Sequence, residues 1–84
     1  MELWIRSQDK MNLVKIRQIN VNYIDNSQII ANYQPEMYEN SGEYYELLGA
    51  YKSKERALEV LDEIQNILID YKEMSRVVFQ MPQE

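Results

Sequence analysis

The stretch Ser53-Lys54-Glu55-Arg56-Ala57-Leu58-Glu59-Val60-Leu61-Asp62-Glu63-Ile64-Gln65-Asn66-Ile67-Leu68-Ile69-Asp70-Tyr71 decides the fold class of this 84-residue chain. Ala57, Val60, Leu61, Ile64, Ile67, Leu68 and Tyr71 recur at steps of three and four, while Glu59, Asp62, Glu63, Gln65, Asn66 and Asp70 fill the opposite side. That period places one apolar stripe on an amphipathic helix of about 20 residues, roughly 30 Å long. Ser53 is its expected N-cap, and Glu55 lies in the first turn, where a carboxylate meets the positive end of the helix dipole. Arg56 stands where a capping box would need Glu or Gln, so the box is incomplete.

Upstream of the helix the apolar period changes to two. Leu3-Trp4-Ile5-Arg6 has the composition of a short strand, and Ser7-Gln8-Asp9-Lys10 supplies a turn. Leu13–Ile19 alternates Val14 and Ile16 against Lys15 and Arg17; then Ile19, Val21 and Tyr23 restart the pattern with opposite parity. A slip of one residue moves every side chain to the other face, so the sequence predicts a bulge or bend near Arg17-Gln18. Asp25-Asn26-Ser27 is a turn, and Gln28–Tyr33 is the returning arm of a hairpin. Gln34 to Glu43, with Pro35, Asn40, Ser41 and Gly42, reads as the longest loop. Tyr44–Tyr51 is a strand in which Gly49 predicts a kink or the close approach of another element, and Val77–Met81 is a final strand ended by Pro82. The expected architecture is α+β: an antiparallel sheet of four to five strands, one long helix on one face, and a C-terminal strand at the edge. It forms one domain over residues 1–84. A single helix covers one sheet face only, so Trp4, several tyrosines and Ile30 are candidates for a second face, and apolar surface there would favour a homodimer.

Composition bounds the function. With neither Cys nor His, the chain lacks the usual zinc sets, thiolate chemistry and the commonest general base. No enzyme, metal or cofactor is expected. The first residues carry no basic run followed by a long apolar one, and apolar runs fall far short of a membrane span, so the cytoplasm is the expected compartment. The net charge of −5 is unevenly spread: four basic residues against two acidic up to Ile24 give +2, and five against twelve thereafter give −7. Lys15 and Arg17 make too small a phosphate footprint, so nucleic acid is not the expected partner.

Two candidate sites follow. Tyr33, Tyr38, Glu39, Glu43, Tyr44 and Glu46 belong to an acidic, tyrosine-rich stretch without Lys or Arg. Tyrosine supplies rigid amphipathic contact area and carboxylates steer basic partners, so this stretch is a candidate protein-binding surface. The alternative is an anionic or nucleotide ligand at the turn into the helix. There Ser53 and Arg56, joined by Arg6 and Lys10, would hold phosphate, with Trp4 or Tyr51 stacking on a base. A protein with a purely structural role is the third reading.

Leu3-Trp4-Ile5-Arg6-Ser7-Gln8-Asp9-Lys10 together with the run from Leu48-Gly49-Ala50-Tyr51 through Lys52 to Gln65 resembles small, mostly uncharacterised proteins encoded by phages, prophages and mobile elements of Gram-positive bacteria. The resemblance brings no catalytic motif. It implies an accessory protein that binds a host defence or regulatory protein, or sequesters a signalling nucleotide, through association with genomic habit rather than through any residue.

Overall fold

The structure, a computed structural model, describes residues 2–33 and 44–84, with the side chains of Asn32, Tyr33, Tyr44 and Tyr45 excepted. Among the described residues, six strands and one helix follow in the order β1 (Glu2–Arg6), β2 (Leu13–Lys15), β3 (Gln18–Val21), β4 (Gln28–Tyr33), β5 (Tyr44–Ala50), α1 (Lys54–Asp70) and β6 (Arg76–Gln80). The α+β class expected from the periodicities is what the chain adopts. The strands are divided differently from the single sheet expected. They form two three-stranded sheets, ordered β2-β1-β6 and β3-β4-β5.

The division falls where the apolar parity slips. Up to Lys15 the chain pairs with β1, with Ile5 opposite Val14; from Gln18 it pairs with β4, with Ile19 opposite Ala31. One segment thus leaves the first sheet and enters the second across Ile16-Arg17. The first sheet is also not wholly antiparallel. β6 lies parallel to β1, with Trp4 opposite Val78 and Ile5 opposite Phe79. Local alternation carries no information on strand direction, because parallel partners are set by long-range connections.

Both sheets contribute to one core. Leu3 and Ile5 of β1, Ile29 and Ala31 of β4, and Leu48 of β5 pack with Tyr51, Met81 and the helical Ala57, Val60 and Ile64. The helix approaches β3 and β4 most closely among the strands. Ser53 caps it as expected, its hydroxyl accepting the Arg56 N–H at 3.1 Å, and the Tyr71 N–H closes the other end on the Ile67 carbonyl. The apolar stripe runs past its support, however. Leu68 and Tyr71 are exposed, along with Ile69 and Met74, because the core ends about one turn after Ile64. Val77 and Phe79 of β6 face the core, and Val78 faces away from it.

At Gly49 the close approach comes from Tyr51, two residues on, and not from another element. The β4–β5 register shifts between Ile29 and Ile30, a bulge that leaves Leu48 as the extra residue. A Cβ on Gly49 would lie 2.8 Å from the Tyr51 hydroxyl oxygen and 3.0 Å from its ring, so only hydrogen fits there. Ile30 is buried but stands outside the main cluster, on the opposite face of β4 from Ile29 and Ala31.

Candidate functional site

The strand-to-helix turn keeps together three of the six residues assigned to a ligand. Tyr51 is buried beneath Arg56, whose guanidinium carbon is 5.9 Å from the ring centroid, and Ser53 caps the helix beside them. An open depression of about 490 Å³ is lined by Ala50, Tyr51, Lys52, Arg56, Gln83 and Glu84. Two of those six residues belong to the segment that follows β6, which fills much of the turn's hydrogen-bonding capacity. The Tyr51 hydroxyl donates to the Pro82 carbonyl at 2.9 Å. Arg56 donates Nε and Nη2 to the Glu84 carbonyl at 3.0 and 2.8 Å, and its Nη1 lies 3.9 Å from carboxylates of both Glu59 and Glu63. Burial of the phenol raises its pKa to about 12, with Arg56 acting in the opposite direction and the Glu63 charge adding to the rise. Arg56 therefore meets the chain's own backbone and two carboxylates.

Trp4, Arg6 and Lys10 are not part of that arrangement. Leu3 and Ile5 occupy the core face of β1, so alternation puts Trp4 and Arg6 on the outer face. Arg6 donates Nε to the Lys10 carbonyl at 2.7 Å. Lys10 holds a left-handed conformation, with φ of 66°, in the turn closed by Ser7 and Asp9. The residue that reaches the strand-to-helix turn from β1 is instead Gln8, whose side-chain amide bonds Ala50 and Gln83. Nothing in the sequence marked Gln8 out, because a glutamine in a polar turn has no pattern of its own.

Of the acidic, tyrosine-rich stretch, Tyr38, Glu39 and Glu43 lie outside the described residues. Tyr33 and Tyr44 are register partners across β4 and β5, and Glu46 is half-buried opposite Ala31.

A different surface is assembled by the pairing of β1 with both neighbours. Register places Leu13, Lys15, Arg76 and Val78 on the same outer face as Glu2, Trp4 and Arg6. Val78 is 60% exposed and Leu13 52%, unusual values for apolar residues in paired strands. The Glu2 carboxylate joins the three strands: it accepts from the Trp4 indole N–H at 3.2 Å and from Arg76 Nε at 3.0 Å, and it lies 3.3 Å from Lys15 Nζ. Its pKa falls to about 2, through the Trp4 and Arg76 hydrogen bonds first and then through Lys15. The alternation Glu2-Leu3-Trp4-Ile5-Arg6 already carried half of this face, but no local signal told that β6 would bring Arg76 and Val78 to it.

Among the described residues, no three acidic side chains converge as a metal site, and no helix is long and apolar enough to cross a membrane. No family model matches this chain, and neither a curated protein nor a solved structure matches it.

Proposed function

We propose that this chain is a non-enzymatic interaction protein that docks a protein partner on the outer face of the β2-β1-β6 sheet. The supporting observation is that Val78 and Leu13 are exposed around Trp4 on a face opposite the one packed into the core. Apolar side chains exposed on one sheet face and interspersed with ionic groups suit a protein interface. In the setting implied by the sequence resemblance, the partner is a host defence or regulatory protein in a bacterial cytoplasm. The Tyr33–Glu46 stretch is the docking face expected from the sequence; Tyr38, Glu39 and Glu43 of it lie outside the described residues, and the present reading rests on the β2-β1-β6 face. Homodimerisation belongs to the same proposal through another surface, the exposed helix end with Leu68, Tyr71 and Met74. Two copies of the Trp4 face would set Arg6, Lys15 and Arg76 against the same charges.

The anionic-ligand alternative is less favoured, since Arg56 is already engaged by Glu84, Glu59 and Glu63. The test is affinity purification of the tagged protein from cells that encode it, comparing the unaltered chain with Val78→Asp and Asp62→Lys, each checked for folding by circular dichroism. A partner lost with Val78→Asp and kept with Asp62→Lys is the expected result. A partner indifferent to Val78→Asp would overturn the reading.

A further inference from the structure

The outer face of the β2-β1-β6 sheet is electrostatically opposite to the chain as a whole. It presents three cationic side chains, Arg6, Lys15 and Arg76, to one carboxylate, Glu2, for a local charge of +2 on a protein of −5. The polar side of α1 carries Glu59, Asp62 and Glu63, so positive charge is concentrated on the face the helix does not cover. The Glu2 carboxylate demonstrates what that surface accepts, lying within hydrogen-bonding or ion-pairing distance of Trp4, Arg76 and Lys15. Arg76 uses Nε for that carboxylate and Arg6 uses Nε for the Lys10 carbonyl, so neither bond consumes the donors on the terminal nitrogens of the two guanidinium groups.

Resting on the docking face proposed above, we infer that the partner presents an acidic segment that turns carboxylates and apolar side chains to the same face. The carboxylates pair with Arg6, Lys15 and Arg76, in the planar geometry that guanidinium groups favour, while the apolar side chains cover Val78, Leu13 and the Trp4 ring. An extended segment that carries its carboxylate and apolar side chains at every second residue, and so on one face, matches this surface, where Lys15 and Val78 lie opposite Trp4 and Leu13 lies opposite Arg6. Single-stranded nucleic acid fits less well. Stacking platforms present several aromatic rings, whereas this face offers one ring beside two aliphatic side chains, and a long polyanion meets the repulsion of the whole chain.

Trp4 is the chain's one tryptophan, so its emission reports on this face alone. The experiment is a fluorescence titration of the full chain at low salt with four probes: a Glu–Leu peptide repeating Glu-Ser-Leu-Ser, which sets Glu and Leu on one face of an extended chain, the same repeat with Leu changed to Ser, the same repeat with Glu changed to Lys, and oligothymidylate. The Glu–Leu peptide should shift Trp4 emission and bind more tightly than the other three. Lys15→Gln and Arg76→Gln should each weaken it, and the double variant should weaken it about tenfold, a difference of about 1.4 kcal/mol. Added salt should weaken it as well. Binding of the Glu–Leu peptide that ignores both substitutions would overturn the inference, as would its failure to bind. Tighter binding of oligothymidylate would overturn it in favour of a nucleic-acid surface. If the peptide fails while Val78→Asp still strips a cellular partner, the acidic-segment inference falls and the docking face stands.

Discussion

Gln8 and Ala50 exchange a pair of hydrogen bonds, the Gln8 side-chain amide donating to the Ala50 carbonyl at 3.1 Å and accepting from the Ala50 N–H at 2.9 Å. A side chain here takes the place of a neighbouring strand. The Gln8 N–H also reaches the Leu48 carbonyl at 2.7 Å, so the turn after β1 ties the first sheet to the end of β5. The same glutamine exchanges bonds with Gln83, at 2.8 Å from its amide and 2.7 Å to its carbonyl. Gln8→Ala removes three of these bonds, and the solvent-exposed partners regain water, so the expected cost is about 1–2 kcal/mol. Urea unfolding checks the cost. Hydrogen exchange should show faster labelling at Ala50 than at the core strand β4.

Glu2 gives the protein an acid-sensitive contribution. Its folded pKa of about 2 lies below the ordinary 4.5, so the stabilisation is fully present above about pH 4.5 and fades as pH falls towards 2. Glu2→Gln should therefore melt below the unaltered chain at neutral pH, and the gap should close across that window. A gap that stays constant from neutral pH to pH 2 would show that the carboxylate's charge is not what joins β1, β2 and β6.

Tyr51 acts at the other end of the scale. A phenol raised from 10.0 to about 12 is favoured neutral in the folded chain, so its contribution holds below pH 10 and is lost as pH rises towards 12. Tyr51→Phe should unfold with a shallower decline in that alkaline range, and it should cost about 1 kcal/mol at neutral pH through the lost Pro82 bond. Gly49→Ala presses on the same ring and should cost about 1–3 kcal/mol by overpacking. Combined with Tyr51→Ala, most of the Gly49→Ala cost should vanish, a coupling that a double-mutant cycle reads directly.

Lys10 occupies a backbone conformation that favours glycine. Relief of the left-handed strain, about 1–2 kcal/mol, outweighs the extra entropy glycine loses on folding, so Lys10→Gly should stabilise the protein by about 0.5–1 kcal/mol. A rise in melting temperature checks it. Destabilisation would mean that the lysine side chain, rather than the turn it sits in, is what the position requires.

The fold class was legible because its signals are local. Ala57, Val60 and Ile64 recur at helical spacing, and Ser53 precedes them as a cap. Even the break between the sheets was written in the parity slip after Ile16, although a slip cannot say whether a strand bulges within one sheet or crosses to another. What was not legible depends on distant partners. The parallel pairing of β6 with β1 brings Arg76 to Glu2 and Val78 to Trp4, residues more than seventy positions apart, and the helix stripe gives no sign that its support ends before Leu68. The candidate ligand set divided for the same reason: Tyr51, Ser53 and Arg56 are neighbours in sequence and stayed together, whereas Trp4 and Arg6 were assigned without knowing which face of β1 turns inward.

The most direct test of the docking face is a photo-crosslinking amino acid placed at Val78, on the outer face of β6, and separately at Asp62, on the polar side of the helix, with the protein in the cells that encode it. The account predicts a discrete crosslinked protein from position 78, absent from position 62 and lost when Trp4→Ala is added to a chain that still folds. Crosslinking from position 62 with none from position 78 would contradict it.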